Sequence, residues 1–369
     1  FTAGSKYFLT KSSIYEDTGE FIGGLIHSYC PELAEYIKRL LDEAEDPISL
    51  LFEPVSESSL QIFEKSRHED LPAFKSQNEA VKWYLKGLSE SGLCLMDNLK
   101  RHPNPLTQLR LFNFFCIFHL VRYMALLEAF YCGENIRPVL LDFSGIAPSQ
   151  SSVARASEMA YTQMHKSINR FYAWGYAQKL KEKDYSKEDL LQSETPVYDE
   201  KKKASVEFST LWDLAKERAS VCATDDAARL VFGETMYDML ALEASSHPVN
   251  CLKILGTSAG MLYPPDQMHP NKRFVLSQDI LEMILRSTVS PDEVLSGNDM
   301  RNRLWERFGI IIGGSTYEIE KLQSSGMLLQ IDEDSLERNF TSFAALLESM
   351  DFAEVMADGI LQIRLGGSD

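Results

Sequence analysis

The sequence predicts a mainly α-helical protein with minor β structure: a helical N-terminal and central region, followed by a C-terminal winged-helix-like domain. Three observations carry this class. First, SSVARASEMAYTQMHKSINRFYAWGYAQKLKEK, residues 151–183, repeats its apolar side chains at helical spacing. With Val153 at zero on the helical wheel, Ala160, Met164, Ile168, Phe171 and Gly175 fall within about 60° of one direction, while Arg155, Glu158, Thr162, Lys166 and Asn169 lie opposite. Second, LFNFFCIFHLVRYMALLEAFY, residues 111–131, is apolar on all sides, and its polar Asn113, His119, Arg122 and Glu128 scatter around the wheel. It reads as a central core helix and not as a membrane span. Third, LSQDILEMILRS, NDMRNRLWERFG and DEDSLERNFTSFAALLESM read as three helices, after which AEVMA and ILQIRL flank Asp358-Gly359. Two short strands around Asp-Gly signal a hairpin, because a type I′ turn needs positive φ at both central positions. Three helices closed by a two-stranded wing describe a winged helix, with GIIIGG, 309–314, and the helix after it inserted before the third helix.

The remaining elements follow in order. KYFLTKSSIY, 6–15, is a candidate strand pair. PELAEYIKRLLDEAED, 31–46, is a helix with Pro31 in its first turn and Leu33, Ile37, Leu40 and Leu41 at helical spacing. SQNEAVKWYLKGLSE, 76–90, is a second helix, with Ser76 as cap and Glu79 three residues on. Pro103 and Pro105 break the chain before the core helix, and RPVLLDFSG supplies one short strand, 137–143. Residues 184–204 are polar and proline-interrupted and read as a loop; helices resume at 208–220 and 224–244, and Pro264, Pro265 and Pro270 separate the C-terminal unit. The expected segments are therefore 1–99, an α-rich N-terminal region; 100–263, a central helical domain; and 273–369, the winged-helix-like domain.

The chain is 44% hydrophobic and 25% charged, which is a globular composition. It opens on Phe1 without an initiator methionine, and no inference about a leader is drawn from that end. The six cysteines are scattered, with no Cys-x-x-Cys pair and no zinc spacing, which suits buried thiols in a cytoplasmic protein. The net charge of −17 is unevenly spread: residues 100–183 hold 11 Lys/Arg against 5 Asp/Glu, and every other segment is acidic. If the protein touches nucleic acid, that basic stretch is the place, because phosphate binding needs clustered cations. Arg155, Lys166 and Arg170, with Lys179 and Lys181 at the helix end, are the candidate nucleic-acid-binding residues, and Tyr172, Trp174 and Tyr176 could stack on bases.

Asp142 and Ser144 end the apolar strand ahead of a helix N-terminus, an arrangement that can cradle phosphate. The loop lacks the Lys-Ser/Thr of a P-loop and the Gly-x-Gly-x-x-Gly spacing, so the pair reads first as a turn and second as a ligand site. Glu200 and Lys202 in YDEKKK lack strand character and read as solvated surface. None of the seven histidines lies within four residues of another, and His119 reads first as a hydrogen-bonded core residue and second, with Arg122, as a polar site inside the domain. No catalytic residue, metal ligand or cofactor is assigned; a Ser-His-Asp arrangement stays open because order alone does not exclude it, and no Gly-x-Ser-x-Gly elbow is expected. The third helix of the C-terminal unit starts Asp332, Glu333, Asp334 and holds Arg338 as its only cation. An acidic first turn set against phosphates is unfavourable, so these four residues are expected to meet a protein and not DNA.

The pattern LEMILRS, then RLWERFGIIIGG, then LERNFTSFAALLESMDFAEVMADG resembles the terminal segment of accessory proteins encoded in bacterial anti-phage defence islands. The resemblance covers roughly the last quarter of the chain, with a fainter echo around RPVLLDFSG and the helix after it. It implies a non-catalytic subunit of a defence complex whose protein partners are an ATPase or a nuclease, with DNA or RNA as a further expected partner through 100–183, and with no membrane. Two alternatives stand beside it: a metal-dependent nuclease or nucleotide hydrolase centred on Asp142, and a purely structural scaffold.

Overall fold

The computed structural model describes residues 18–42, 78–133, 135–196, 206–243, 248–267, 269–324, 331–357 and 360–365. The candidate strand pair at 6–15, Ser76, Glu200 and Lys202, and the Asp358-Gly359 turn lie outside the described residues. The chain is mainly helical with small sheets, and it gathers into two compact units. One comprises residues 1–126, 135–163 and 252–369; the other comprises 127–134 and 164–251. The three expected segments are continuous, whereas the first unit is assembled from three separate stretches.

In the first unit, α1 (Thr18–Tyr29) and α2 (Pro31–Asp42) meet at the buried Cys30. Next comes α3 (Glu79–Leu99), capped by Asn78, whose side chain accepts from the Val81 N–H at 2.8 Å. The sequence ends this helix at residue 90, but it runs to Leu99. The physical reason is Gly92: a mid-helix glycine lowers helix propensity, yet a Cβ there would lie 2.7 Å from Cys30 Sγ, so close packing requires it. Asn98 then fixes the helix end, its Nδ2 donating to the Arg286 carbonyl at 2.8 Å and the Val289 carbonyl at 2.9 Å. Pro105 opens α4 (Pro105–Ala125) after the Asn104 cap. The expected single helix over 111–131 is two: α4 ends at Leu126, and a short α5 (Leu127–Cys132) belongs to the second unit. Among the described residues no helix is long and apolar enough to cross a membrane.

The strand expected over 137–143 is shorter, β1 (Val139–Leu140). Later strands are β2 (Leu262–Tyr263) and β3 (Arg273–Phe274), which pair antiparallel, and β4 (Val294–Ser296). β1 is joined in parallel by β5 (Ile310–Ile311), from the GIIIGG run, in the register Val139 to Ile310. A buried asparagine ties this pair to a helix: Asn339 Nδ2 donates to the carbonyls of Leu141 at 2.8 Å and Ile312 at 2.7 Å, and its Oδ1 accepts from the Phe143 N–H at 2.8 Å.

The helices of the C-terminal stretch start on side-chain caps. Ser277 caps α6 (Gln278–Arg286), Ser296 caps α7 (Gly297–Phe308) and Asp332 caps α8 (Glu333–Ser349); α9 (Thr316–Ser324) lies between the last two in sequence. Gly309 at φ 65° ends α7 in the left-handed region, where an L side chain is strained. The chain closes with the hairpin β6 (Ala353–Val355) and β7 (Leu361–Arg364), and β4 adds on the far side of β7, giving the order β4-β7-β6. Leu295 and Ile363 face inward as direct partners in that sheet.

The long helix α10 (Ser152–Glu182) contributes residues 152–163 to the first unit and the rest to the second. The second unit continues with α11 (Lys187–Gln192), α12 (Val206–Ser220) and α13 (Asp225–Glu243). Leu180, Leu190, Phe208, Trp212 and Phe232 form its core, with Trp212 and Phe232 in edge contact at 4.7 Å. Gly233 lets α13 approach α10, since a Cβ there would lie 2.2 Å from the Ala173 carbonyl oxygen. The polar loop expected over 184–204 is corrected by α11. Ser186 and Asp189 form a reciprocal capping box, and Leu190 is the one fully buried side chain, with Leu191 packed partly against the same core. One buried residue in a six-residue helix leaves a polar composition that conceals the helix.

Candidate functional site

The first turn of α8 borders a cleft of about 580 Å³ in the first unit, whose walls include Arg301, Tyr317, Glu318, Glu333, Asp334 and Glu337. Helix capping by Asp332 aims the start of α8: its carboxylate accepts from the Ser335 N–H at 2.6 Å, and hydrogen bonding from the Ser335 side chain and then from its N–H holds the Asp332 pKa below the usual range. Glu333 accepts from Thr316 Oγ1, and Glu337 lies 3.5 Å from Arg301 Nη1. Asp334 has neither a hydrogen bond nor an ion pair among the described residues and is exposed. Lys321 lies 3.8 Å from the wall residue Glu318. Lys321 Nζ sits 4.3 Å from the Trp305 ring centroid and 3.9 Å from that of Tyr317, and burial lowers its pKa. Of the charged walls, one is a cation and four are acids, so the cleft attracts positive charge. Glu333 and Asp334 of the expected partner-binding set line it; Asp332 serves as cap, and Arg338 is exposed beside them, donating to Ser335 Oγ at 3.0 Å.

The five expected phosphate-binding cations are all exposed, but they do not form one row. Arg155 falls in the first unit, and its Nε makes a 3.4 Å bond to the Pro148 carbonyl. In the second unit, helical spacing puts Lys166, Arg170 and Lys181 within about 60°, and Lys179 about 140° from Lys166. Two are engaged: Arg170 pairs with the buried Glu128 at 3.1 Å and Lys181 with Asp226 at 3.1 Å. Lys166 forms no ion pair among the described residues. The candidate stacking aromatics pack internally, Tyr172 against Tyr237 at 5.5 Å and Trp174 against Tyr131 at 5.9 Å.

Asp142 is buried, and the turn reading accounts for its contacts. Oδ1 accepts from the Ser144 N–H at 2.9 Å and from Ser144 Oγ at 2.6 Å, and Gly145 at φ 66° completes the reversal. Oδ2 is ion-paired with Arg273 Nη1 at 3.2 Å without a hydrogen bond, and that guanidinium donates to the Ile146 carbonyl at 2.6 Å and rests over Tyr263. The carboxylate thus stitches the strand end to β3. Among the described residues, no three His, Cys, Asp or Glu side chains gather as a metal site.

A motif passed over in the sequence is GTSAG, 256–260, which has the letters of a nucleophile elbow. Its setting is different. Ser258 ends the helix α14 (Pro248–Ser258), where an elbow needs a strand-to-helix turn, and its hydroxyl accepts from Gln267 Nε2 at 3.1 Å. Packing explains both glycines: a Cβ at Gly256 would meet Leu262 at 2.7 Å and one at Gly260 would meet Ser277 at 2.5 Å.

His119 is buried among Phe115, Phe118 and Phe308. Its Nε2 lies 3.3 Å from Ser91 Oγ, and burial, aided by the charge of Arg122, pushes its pKa down to about 3. The sequence expectation of a hydrogen-bonded core residue describes one face of the ring; Nδ1 has no partner among the described residues.

Fold and sites define a mainly helical protein with small sheets and an acidic cleft. No protein-family model matches the chain, and no significant similarity links it to curated proteins or to solved structures.

Proposed function

We propose that this protein is a non-catalytic, cytoplasmic subunit of a prokaryotic anti-phage defence complex that binds a protein partner through a winged-helix-like domain, residues 273–369. The domain reading is supported by the order α6, β4, α7, α8, β6, β7 with the sheet order β4-β7-β6, in which the hairpin is the wing and β4 its third strand. The observation that carries the partner reading is the acidic cleft at the first turn of α8, where a DNA-reading winged helix would present cations to phosphate. The defence assignment rests on the resemblance of the last quarter of the chain. The buried, doubly engaged Asp142 favours this reading over a hydrolase centred on that acid. An ATPase or nuclease encoded nearby is the expected partner.

The test is purification of tagged wild-type protein and of the variant carrying Glu333→Lys and Asp334→Lys from the native host, with mass spectrometry of co-purifying proteins. Products of neighbouring genes should accompany wild type and be lost from the variant, which circular dichroism should show folded. Equal recovery of the same partners by both proteins would overturn the cleft as the docking site.

Nucleic acid is a second reading, favoured by the exposed Lys166 and Arg155, which carry no ion pair among the described residues. It rests on residue chemistry along α10 and is tested separately below.

A further inference from the structure

Helix α4 carries into the core a cation that partner binding does not use. Arg122 is 3% exposed, and its two terminal nitrogens are buried without any hydrogen-bond acceptor among the described residues. It forms no ion pair among them either. A guanidinium presents its N–H donors in a flat fork, and removing it from water without matching those donors is costly. Burial lowers its pKa only to about 10, with the neighbouring Tyr84 acting the other way, so the group remains charged at neutral pH.

The fold offsets this charge in part. The C-terminal turn of α7 ends beside it, since a Cβ at Gly309 would lie 2.9 Å from Arg122 Nη2. The negative end of a helix dipole favours a cation, yet no carbonyl of that turn accepts from either terminal nitrogen. The same position would place that Cβ 3.2 Å from the ring edge of Trp83, a half-buried residue that reaches the surface. His119, one turn back on α4, also leaves Nδ1 unmatched. A charged fork and the Trp83 ring therefore both lie against Gly309 at the end of α7, with an unmatched imidazole nitrogen one turn back on α4.

We propose that Arg122 is the receptor of a small oxyanion, a phosphate or a carboxylate, taken up at this position with Trp83 as its cover. Two adjacent anionic oxygens match the fork in a bidentate arrangement, which neutral acceptors do not supply with the same strength. Burial keeps water from the guanidinium and strengthens that pairing. Because the Trp83 ring and the guanidinium lie against the same glycine, the indole is expected to report occupancy.

The experiment titrates the full chain with sodium phosphate and, separately, sodium acetate, at ionic strength held constant with sodium chloride, following thermal midpoint and tryptophan fluorescence. Saturating anion should raise the wild-type midpoint by ~5 °C, with no response to chloride alone. Arg122→Met, which replaces the charge by a side chain of similar length, should fold with an equal or higher basal midpoint and lose the response. Trp83→Phe should keep the thermal response and lose the fluorescence change. A response to phosphate and not acetate assigns a phosphate-type ligand, and the reverse assigns a carboxylate. No shift with either anion, or a shift that persists in Arg122→Met, overturns the site.

Discussion

Replacing Asn339 with leucine should loosen the junction between β1, β5 and α8 more than any nearby surface change. The side chain is 1% exposed and makes three hydrogen bonds of 2.7 to 2.8 Å, to Leu141, Ile312 and Phe143. At about 1 kcal/mol net for each such bond, their loss costs about 3 kcal/mol, and the stranded carbonyls add to it. Leucine is similar in size and cannot replace a donor or an acceptor. Native-state hydrogen exchange reads the effect directly, because the Val139 and Leu141 amides donate to the Gly309 and Ile311 carbonyls at 2.9 and 3.0 Å across this junction. A penalty of about 3 kcal/mol lowers their protection roughly a hundredfold. Asn339→Asp should be worse at pH 7, since a carboxylate would face two carbonyl oxygens, and should recover in part in acid as the protonated form regains a donor. Protection falling less than about fivefold in the leucine variant would refute the claim that this side chain holds the strand pair to the helix.

His119 makes stability depend on pH. Its folded pKa is depressed to about 3, so below the ordinary histidine value the unfolded chain takes up a proton that the native state refuses. Stability should therefore fall from about pH 6.5 downward, by up to ~1.4 kcal/mol per unit, and His119→Gln should flatten that part of the profile in thermal melts between about pH 7 and 5. In the second unit, Leu190→Ala should cost ~2–3 kcal/mol by opening a cavity, and Ser186→Ala ~1 kcal/mol by removing the capping box; limited proteolysis after Lys187 should speed up in both. If α10 holds nucleic acid, Lys166→Glu should weaken binding to short duplex DNA in low salt and reduce the salt slope by about 0.9 for each phosphate it no longer neutralises. Unchanged anisotropy titrations for Lys166→Glu and Arg155→Glu would remove that reading.

The helices were largely legible because periodicity is a local property. Val153, Ala160, Met164 and Ile168 repeat on one face, and all four are buried. The elements that escaped were those whose reason lies elsewhere in the chain. Gly92 reads as a breaker until Cys30 is seen against it, and α11 reads as loop because only Leu190, with Leu191 partly buried beside it, meets the core. The acids at 332–334 were legible as a repulsive surface for phosphate, but the opposite wall of their cleft, Arg301 and Tyr317, was not. Nor was Arg122 visible as an unmatched charge, since a cation in an apolar helix gives no hint of whether an acceptor lies across from it.

The sequence by itself determined the helical class, the Asp-Gly position between the closing strands and the sign of the charge along each segment, since all three depend on near neighbours. Only the tertiary structure decided what the polar groups do: that Arg273 and Ser144 occupy Asp142, that Glu128 and Asp226 claim two of the cations on α10, and that Arg122 is left without an acceptor among the described residues. The reason is physical. A hydrogen bond or ion pair depends on distances of about 3 Å between groups far apart in the chain, and spacing along the chain carries no record of them.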